Sequence, residues 1–374
     1  MRHICFLMPS VGFAPSGGFK VVFEYANRFY DDGYKVSIAF AASNLWRNQP
    51  FKERIKSIIR YFINKFPQRY TPYSWFNLNR SINLYPVWNL NERCVPVADI
   101  YVATAAETAI YLNQYKKVDY NRKFYLIQGY ETWHIGESKL IETYKYNLKK
   151  IVIAPWLLDK IESYGTTATL IPNGFDFKYF RRYIDVSKKD KYLVTMLFHT
   201  SKLKGCGDAF KALEIVKTKI PQLHVNIFGF PSKPSNLPSW YSYYQQPNKK
   251  LHNEIYNTSA IYVGASYSEG FCLTPPEAMM CGCAVACTDI GGYKTVGIDG
   301  ITALLSPVGD FRLLADNIIR LIENDELRYD IANNGYNYVQ QFTWEKAYDK
   351  FQLYIDENYS VSYTHLTLPT ICSV

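Results

Sequence analysis

The stretch "SYSEGFCLTPPEAMMCGCAVACTD" (Ser266–Asp289) places two glutamates, Glu269 and Glu277, around a Gly-Phe turn and a Thr-Pro-Pro sequence. The preceding run "AIYVGAS" predicts a buried strand, so Glu269 lies at the carboxyl end of a strand, where α/β sheets bind ligands. Thr274 is a favourable N-cap, and proline is favoured where a helix starts. We therefore expect a helix over Pro275–Cys281, followed by a strand in "CAVACTD".

Two interpretations of the second carboxylate remain open at this point. Glu277 completes a capping box with Thr274, which is a structural role. In the functional interpretation, Glu277 accepts hydrogen bonds from a ribose diol, and the amides of the helix start bind a phosphate. Only the functional interpretation gives a role to Glu269, which would bind the hydroxyls of a sugar attached to that phosphate.

Strand and helix patterns alternate in two successive runs, which predicts two doubly wound, Rossmann-like α/β domains. We expect the first domain over 1–177, a charged and irregular linker up to about residue 189, and the second domain over 190–343. A last helix, 344–359, is expected to cross back to the first domain. The segment 360–374 lacks periodicity and resembles translated adapter sequence, so we interpret it as a non-native tail.

Composition narrows the class of protein. The chain has 374 residues, a length suited to two domains, and a net charge of +9. The charge suits an anionic substrate or membrane, but no zinc finger, RNP signature or basic recognition helix is present, and we therefore expect no nucleic-acid partner. The eight cysteines include no CxxC pair, so we interpret them as thiols of a protein in a reducing compartment rather than as metal ligands. The first residues predict a strand rather than a secretion signal.

The segment "SEGFCLTPPEAMMCGCAVACTDIGG" closely resembles the E-x7-E region of glycosyltransferase family 4, the retaining transferases with the GT-B fold. Similar pieces occur in the family's order: "SGGFKVVFEYANRF", "VIAPWLLDKIESYGTTATLIPNGFD" and "KLKGCGDAFKAL". The resemblance covers the chain from Arg2 to about Tyr359. It implies a GT-B fold, in which two Rossmann-like domains face a central cleft.

The resemblance also implies roles for individual residues. Glu277 would bind the ribose and Glu269 the donor sugar, while Lys204 would neutralise the departing diphosphate, making Glu269 and Lys204 the catalytic candidates. The further donor-binding candidates are Gly270, Phe271, Cys272, Leu273, Thr274, His199, Gly17 and Gly18.

The sequence departs from the family pattern at two places. His199 stands where the family usually has an arginine that helps bind the phosphates, and it could instead be a hydrogen-bonded histidine at a strand end. The family's first-domain histidine has no match, and Gln128, Glu131 and His134 cluster where it would fall. Gln128 and Glu131 are the candidates for contact with the donor or acceptor sugar; both could equally be surface-loop residues.

Within the family, "YLIQGYETWH" is most similar to bacterial surface-glycan rhamnosyltransferases. The resemblance implies transfer of a sugar, rhamnose from dTDP-rhamnose being one candidate, to a glycan or lipid-linked acceptor in surface polysaccharide synthesis. The alternatives are a UDP-hexose transferase and a catalytically silent sugar-binding subunit. We expect no metal and no cofactor beyond the nucleotide-sugar substrate, because helix amides and Lys204 can offset the diphosphate charge.

The segment "FKERIKSIIRYFINKF" (Phe51–Phe66) has apolar residues at helical spacing and lysines and arginines between them. A basic amphipathic helix of this kind can lie on an anionic membrane, or it can pack its apolar face on the first domain. We therefore expect a cytoplasmic protein with peripheral contact to the inner face of the cell membrane through 51–66.

Overall fold

The computed structural model describes residues 1–10, 16–41, 55–56, 59 and 72–364. Most of the expected basic helix over 51–66 lies outside these residues. The chain divides into two compact units, the first made of 1–172 with 345–374 and the second of 173–344.

The first unit is a parallel α/β sheet with its connecting helices. Its described strands are β1 (His3–Met8), β2 (Lys35–Ala41), β3 (Asn83–Val87), β4 (Ile100–Ala103), β5 (Lys123–Ile127), β6 (Lys149–Val152) and β7 (Thr169–Leu170). Its described helices are α1 (Gly17–Asp31), α2 (Ala106–Asn113), α3 (Thr132–Ile135), α4 (Glu137–Tyr144) and α5 (Pro155–Glu162). The strands pair in the order β3-β2-β1-β4-β5-β6-β7, and every pairing is parallel. The order reverses between β1 and β4, which creates a crevice at their carboxyl ends.

The second unit repeats this topology. Its described strands are β8 (Asp190–Phe198), β9 (His224–Gly229), β10 (Tyr241–Gln245), β11 (Ser259–Gly264), β12 (Ala284–Thr288) and β13 (Leu304–Ser306). Its described helices are α6 (Cys206–Lys219), α7 (Lys249–Thr258), α8 (Thr274–Met280), α9 (Gly291–Lys294), α10 (Phe311–Glu323) and α11 (Asp325–Val339). The parallel order β10-β9-β8-β11-β12-β13 reverses between β8 and β11.

Alternate strand residues of the second unit belong to two different cores. Ile261 and Val263 of β11 pack in one core with α6 and α10 residues, whereas Tyr262 packs in the other with α7 and α8 residues. This follows from the two-residue period of a strand, and it makes the unit a three-layer sandwich. Four cysteines lie in the second of these cores: Cys272, Cys281, Cys283 and Cys287. They are free, buried thiols, as their apolar surroundings predicted.

The last helix, α12 (Trp344–Thr364), packs on the first unit. Its Phe351 contacts Tyr25 and Phe29 of α1 edge to face, with ring centroids 4.9 and 5.5 Å apart. The hydroxyl of Tyr348 donates to Asp32 Oδ2 at 2.9 Å. The helix continues to Thr364, past the end at residue 359 that the sequence predicted, so part of the expected tail continues this helix.

The first unit ends at Pro172 rather than at the expected residue 177. Gly174 approaches the other end of the second unit so closely that an added Cβ would lie 2.3 Å from the backbone nitrogen of Trp344. The backbone N–H of Phe175 donates to the carbonyl of Phe342 at 2.9 Å. These contacts hold the two ends of the second unit together, which moves the boundary towards the amino terminus. Among the described residues, no helix is both long and apolar enough to cross a bilayer.

A buried lysine connects two helices of the second unit. The side chain of Lys189 is 6% exposed, and its ammonium donates to the carbonyls of Tyr256 at 2.9 Å, Ser259 at 3.1 Å and Cys281 at 2.7 Å. These carbonyls end α7 and α8, where the helix dipoles favour a cation. The sequence analysis had assigned Lys189 to an irregular linker. Burial lowers the pKa of this ammonium, and the nearby thiols of Cys283 and Cys281 oppose that shift.

We predict that Lys189→Met destabilises the protein by about 2–4 kcal/mol, because three buried carbonyls lose their donor. The measurement is urea-induced unfolding followed by circular dichroism. Lys188→Met is the matched control, since the neighbouring side chain is exposed and should change stability by less than about 0.5 kcal/mol. Equal effects of the two substitutions would contradict the capping role of Lys189.

Candidate active site

Two oppositely charged side chains meet where the strand order of the second unit reverses. Lys204 lies in the 3-10 turn Lys202–Lys204 that follows β8, and Glu269 lies in the loop that follows β11. The Lys204 ammonium is 2.5 Å from Glu269 Oε1, and the side chains are 28% and 14% exposed. Both catalytic candidates from the sequence therefore lie side by side at the carboxyl edge of the sheet, where α/β folds bind ligands.

Glu269 is oriented by a chain of hydroxyl donors. Ser266 Oγ donates to Glu269 Oε1 at 2.9 Å, and the hydroxyl of Tyr293 donates to Ser266 Oγ at 3.0 Å. Thr288 Oγ1 donates to the carbonyl of Ser266 at 2.6 Å, which anchors the start of the loop. Oε2 of Glu269 accepts no hydrogen bond from the described residues, so it is available to a substrate hydroxyl.

Gly205 lets the two loops approach each other. It adopts a left-handed conformation with φ +59°, and an added Cβ would lie 1.8 Å from the carbonyl oxygen of Ala265. The backbone N–H of Tyr267 donates to the carbonyl of Leu203 at 2.8 Å across the same junction. Only glycine combines this backbone conformation with this approach. The close approach of Gly205 therefore fixes the position of the backbone of Lys204, from which its side chain extends.

The charge on Lys204 is stabilised in this position. Burial alone would lower its pKa, but the carboxylate of Glu269 and the nearby thiol of Cys272 outweigh burial, so the pKa of Lys204 is raised above its ordinary value. The ammonium is thus positively charged throughout the neutral range. A fixed cation at a sheet edge can offset negative charge that develops on a leaving phosphate.

Two side chains of the segment that contains the predicted Gly-Phe turn pack against the interior of the second unit. Phe271 stacks on Phe175, with ring centroids 5.5 Å apart, and Cys272 is buried, which raises the pKa of its thiol far above the usual range. The side chains of these two residues thus face the core. Backbone contacts of Gly270 and Leu273 with a donor remain a prediction.

The capping-box interpretation of Glu277 is wrong in this structure. The helix α8 begins at Thr274 itself, and Leu273 is its N-cap without a side-chain hydrogen bond. The Thr274 hydroxyl instead accepts a hydrogen bond from Tyr262 at 2.7 Å, because that tyrosine projects from β11 beneath the helix start. Glu277 lies buried in the first turn of α8, and its binding to a ribose remains a prediction.

His199 directly follows β8 and is exposed. Its Nδ1 accepts a hydrogen bond from the backbone N–H of Ser201 at 2.9 Å, which leaves Nε2 to carry the proton of the neutral ring. Partial burial lowers its pKa, the charge of Lys204 lowers it further, and Glu269 opposes the shift. The residue therefore has the strand-end hydrogen bond that the structural alternative expected, while its phosphate role remains a prediction.

In the first unit, Gly18 and Gln128 lie together. Gly18 is in the first turn of α1, and an added Cβ would lie 3.5 Å from Gln128 Oε1. That oxygen is buried and has no partner among the described residues, whereas Nε2 of Gln128 donates to the carbonyl of Thr104 at 3.3 Å. Gly17 starts the same helix. The grouping brings together candidates that are more than a hundred positions apart in the sequence.

Glu131 has a structural task in the first unit. Its Oε2 accepts a hydrogen bond at 2.8 Å from the backbone N–H of Ala106, the first residue of α2. Burial raises the pKa of Glu131 to about 8; the hydrogen bond from Ala106 opposes the shift, and the charge of Glu107 adds to it. A capping role thus accounts for Glu131 without a sugar, and its contact with a sugar remains a prediction.

Three residues that support Glu269 were not predicted from the sequence: Ser266, Tyr293 and Gly292. An added Cβ on Gly292 would lie 2.7 Å from the Cβ of Glu269, so only a glycine allows α9 to approach the carboxylate. The motif "IGG" contains this residue, and its paired glycines could have indicated a close backbone approach. Ser266 and Tyr293 carry no such signal, because hydroxyl contacts between distant positions leave no spacing pattern.

Residues 181–338 match the family model "Glycosyl transferases group 1". The matched range lies entirely within the second unit, 173–344. The Lys204–Glu269 pair and the helix α8 lie within the matched range. The part of the sequence with the strongest resemblance is thus also the part that the family model matches.

Three curated proteins that match part of the chain are described as glycosyltransferases. The chain is 29% identical over 149 residues to an uncharacterized glycosyltransferase of Methanocaldococcus jannaschii, covering 39% of this chain and 37% of that protein. It is 24% identical over 182 residues to the capsular polysaccharide biosynthesis glycosyltransferase CapM of Staphylococcus aureus, covering 45% and 48%. It is 26% identical over 199 residues to the phosphatidyl-myo-inositol mannosyltransferase of Mycobacterium tuberculosis, covering 50% and 53%. The chain thus spans about a third to a half of the length of these relatives.

Solved structures resemble the whole fold. The sucrose-phosphate synthase of Thermosynechococcus elongatus has a TM-score of 0.71 at 16% identity, covering 96% of this chain and 100% of that one. Anabaena HepE, solved in complex with UDP and glucose, has a TM-score of 0.69 at 15% identity with the same coverage. The predicted two-domain GT-B fold is confirmed by this likeness together with the two parallel sheets.

We predict that Lys204 and Glu269 are energetically coupled by about 1–2 kcal/mol at pH 7, measured in a double-mutant cycle with Lys204→Met and Glu269→Gln. The folded-state pKa of Lys204 is raised, so this contribution is complete below the ordinary lysine pKa and is lost only as the pH rises through the raised value. The coupling should therefore persist at pH 10.

The exposed pair Lys219–Asp316 provides the matched control, with 58% exposure on both sides and a separation of 3.7 Å. Its coupling should stay below about 0.5 kcal/mol. A Lys204–Glu269 coupling no larger than that of the control pair would show that the ion pair does not contribute more to stability than an exposed one does.

We predict that Glu131→Gln removes a loss of stability at higher pH. Because the folded-state pKa of Glu131 is raised to about 8, the unfolded chain ionises first, and wild-type stability falls between about pH 4.5 and pH 8. Over this pH range the free energy of unfolding of the variant should rise relative to that of wild type, by no more than about 1.4 kcal/mol per pH unit. Urea unfolding at pH 5 and pH 8 measures it, with the exposed Glu162→Gln as control. A constant difference between variant and wild type would contradict the raised pKa.

Proposed function

We propose that this protein is a retaining glycosyltransferase that moves a sugar from a nucleotide diphosphate donor to a glycan or lipid-linked acceptor. The observation that supports this most strongly is the ion pair of Lys204 and Glu269 at the strand-order reversal of a group 1 glycosyltransferase domain. The pair combines a fixed cation with a carboxylate that has a free oxygen. Both are needed to bind a charged, hydroxyl-rich donor.

In this proposal each member of the pair has a distinct task. Oε2 of Glu269 accepts hydrogen bonds from hydroxyls of the donor sugar, while Ser266 and Tyr293 keep the carboxylate in place. The ammonium of Lys204 offsets the charge that grows on the diphosphate as the glycosidic bond breaks. Glu277 binds the ribose hydroxyls, and backbone amides of the turn Gly270–Leu273 bind phosphate oxygens.

The donor within this proposal is rhamnose from dTDP-rhamnose, supported by the "YLIQGYETWH" resemblance. A UDP-hexose is the alternative, and the fold-level neighbour HepE was solved with UDP-glucose. The relative CapM acts in capsular polysaccharide biosynthesis, which favours a surface-glycan acceptor. In this scheme the protein works at the inner face of the cell membrane.

The alternative of another class is a sugar-binding subunit without catalysis. The departure at His199 favours it, because a ring whose pKa is lowered carries less positive charge for a phosphate. The raised pKa of Lys204 favours the enzyme, because one permanent cation remains. A binding subunit would bind the donor without releasing a nucleoside diphosphate.

The test is a donor screen in two steps. Thermal shift against nucleotides and nucleotide sugars identifies the donor, since a bound ligand stabilises the native state by mass action. The selected donor is then incubated with lipid-linked and soluble glycan acceptors, and NMR determines the anomeric configuration of the product. Retention of configuration supports the proposal. Donor binding without release of nucleoside diphosphate for any acceptor would favour the binding subunit, and an inverted product would exclude a retaining enzyme.

We predict that Lys204→Ala weakens binding of the nucleoside diphosphate at least tenfold and leaves the affinity for the free nucleoside unchanged. The reason is that the ammonium interacts with the diphosphate charge, which the nucleoside lacks. Isothermal titration with UDP and uridine, or with dTDP and thymidine, measures both affinities. The neighbouring Lys202→Ala serves as control, since its side chain is exposed. If both ligands lose affinity equally, Lys204 supports the structure of the site and does not interact with the diphosphate charge.

A further inference from the structure

One cavity of the second unit lies beside Lys204, and another lies on the surface of the unit and shares no lining residue with the first. Its volume is about 490 Å³. It is lined by Arg181, Arg182, Tyr183, Lys250, Asn253 and Glu254. Three cations and one carboxylate thus surround one opening, and the proposed transfer reaction uses none of them.

The backbone that carries the arginines is fixed to α7. Asn253 Oδ1 accepts from the backbone N–H of Arg181 at 3.2 Å, and Asn257 Oδ1 accepts from the backbone N–H of Tyr183 at 2.9 Å. Asn257 Nδ2 returns a hydrogen bond to the carbonyl of Arg181 at 3.0 Å. Two side-chain amides therefore hold an irregular segment in one conformation. A backbone fixed in this way loses little further conformational entropy when a ligand binds, and the entropic cost is confined to the side chains.

Arg182 is pre-positioned by its neighbours in α11. Its Nη1 donates to Asn333 Oδ1 at 2.8 Å, and its guanidinium lies 4.1 Å above the ring of Tyr336. These contacts use one donor and one face of the guanidinium. The remaining donors keep the planar fork that matches a phosphate oxygen pair.

The charged groups of the other two cations have no partner among the described residues. Arg181 and Lys250 are exposed, and neither charged group has a hydrogen bond or ion pair within the part of the chain that the structure describes. The neighbouring Lys249 differs, since its ammonium pairs with Asp176 at 3.2 Å. Two unpaired cations beside a fixed third one create a local positive potential that suits a doubly charged anion.

The carboxylate of Glu254 narrows the class of ligand. A bare phosphate would gain from the cations but would be repelled by this carboxylate. A phosphate that carries hydroxyl groups can bind the cations through its oxygens and donate its hydroxyls to Glu254. The exposed hydroxyl of Tyr183 adds a further polar contact.

We propose that this cavity is a binding site for a phosphorylated polyol, separate from the donor site of the glycosyltransferase domain. The shared chemistry is a phosphate with neighbouring hydroxyls, which a free polyol phosphate and a phosphatidylglycerol headgroup both offer. The proposal does not depend on the transfer reaction.

The test uses the full chain in the Lys204→Ala background, which weakens phosphate binding at the proposed donor site. Ligand-observed NMR titration measures the affinity for sn-glycerol 3-phosphate and for inorganic phosphate. Arg181→Ala with Lys250→Ala should weaken glycerol 3-phosphate binding at least tenfold. The matched control is Arg312→Ala with Lys233→Ala, an equal loss of charge at exposed positions outside the cavity, which should change binding less than twofold.

Glu254→Gln tests the hydroxyl contact separately. Removing the negative charge should strengthen binding of inorganic phosphate, while the preference for glycerol 3-phosphate over phosphate should fall. A second arm measures sedimentation with phosphatidylglycerol vesicles against phosphatidylcholine vesicles at low salt.

Each outcome has a defined meaning. Binding of the soluble probe that depends on Arg181 and Lys250 supports the site and assigns it to a free phosphate. Binding of phosphatidylglycerol vesicles alone, with the same dependence, supports it as a headgroup site. The proposal is overturned if neither probe binds, if the control variant loses as much affinity as the cavity variant, or if binding disappears in the Lys204→Ala background.

Discussion

The candidate active site depends on a backbone contact between two loops of the second unit. Gly205 packs against the carbonyl of Ala265 at a distance that leaves no room for a side chain, in a conformation that other residues rarely adopt. This contact joins the loop after β8 to the loop after β11. The ion pair of Lys204 and Glu269 is a consequence of it, because both side chains start from backbone that the contact has already positioned. The hydroxyls of Ser266 and Tyr293 then select one orientation of the carboxylate.

Lys189 shows how the layer beneath the site is supported. An ammonium in the core is costly unless its donors are used, and here three carbonyls at two helix ends accept all three. The same contact fixes α8, the helix that carries Glu277, against α7. A polar group in the core therefore specifies how two helices are placed relative to each other. Hydrophobic packing alone is less directional, since apolar surfaces can slide against one another.

The sequence predicted the alternation of strands and helices, the two α/β units and the joint position of Lys204 and Glu269 after their strands. These predictions succeed because periodicity and strand ends determine which edge of a parallel sheet a residue occupies. The predicted capping box at Thr274 is wrong because the Thr274 hydroxyl bonds to Tyr262, a residue of a neighbouring strand that rules for local sequence do not consider. Lys189 and Glu131 were misjudged or left open for a similar reason. Their partners come from distant parts of the chain, and a single sequence contains no record of such contacts.

The packing of α12 on the first unit has a consequence for the order of folding during synthesis. Phe351 and Ile355 of this helix are fully buried, and Phe351 packs on Tyr25 in the part of the first unit that is formed by 1–172. The second unit is continuous in sequence, so its core can close as soon as residue 344 has left the ribosome. Part of the apolar surface of the first unit stays exposed until the last helix has been synthesised and packs on it. A chain cut short after residue 344 would therefore contain all of the second unit and a first unit that lacks its last helix.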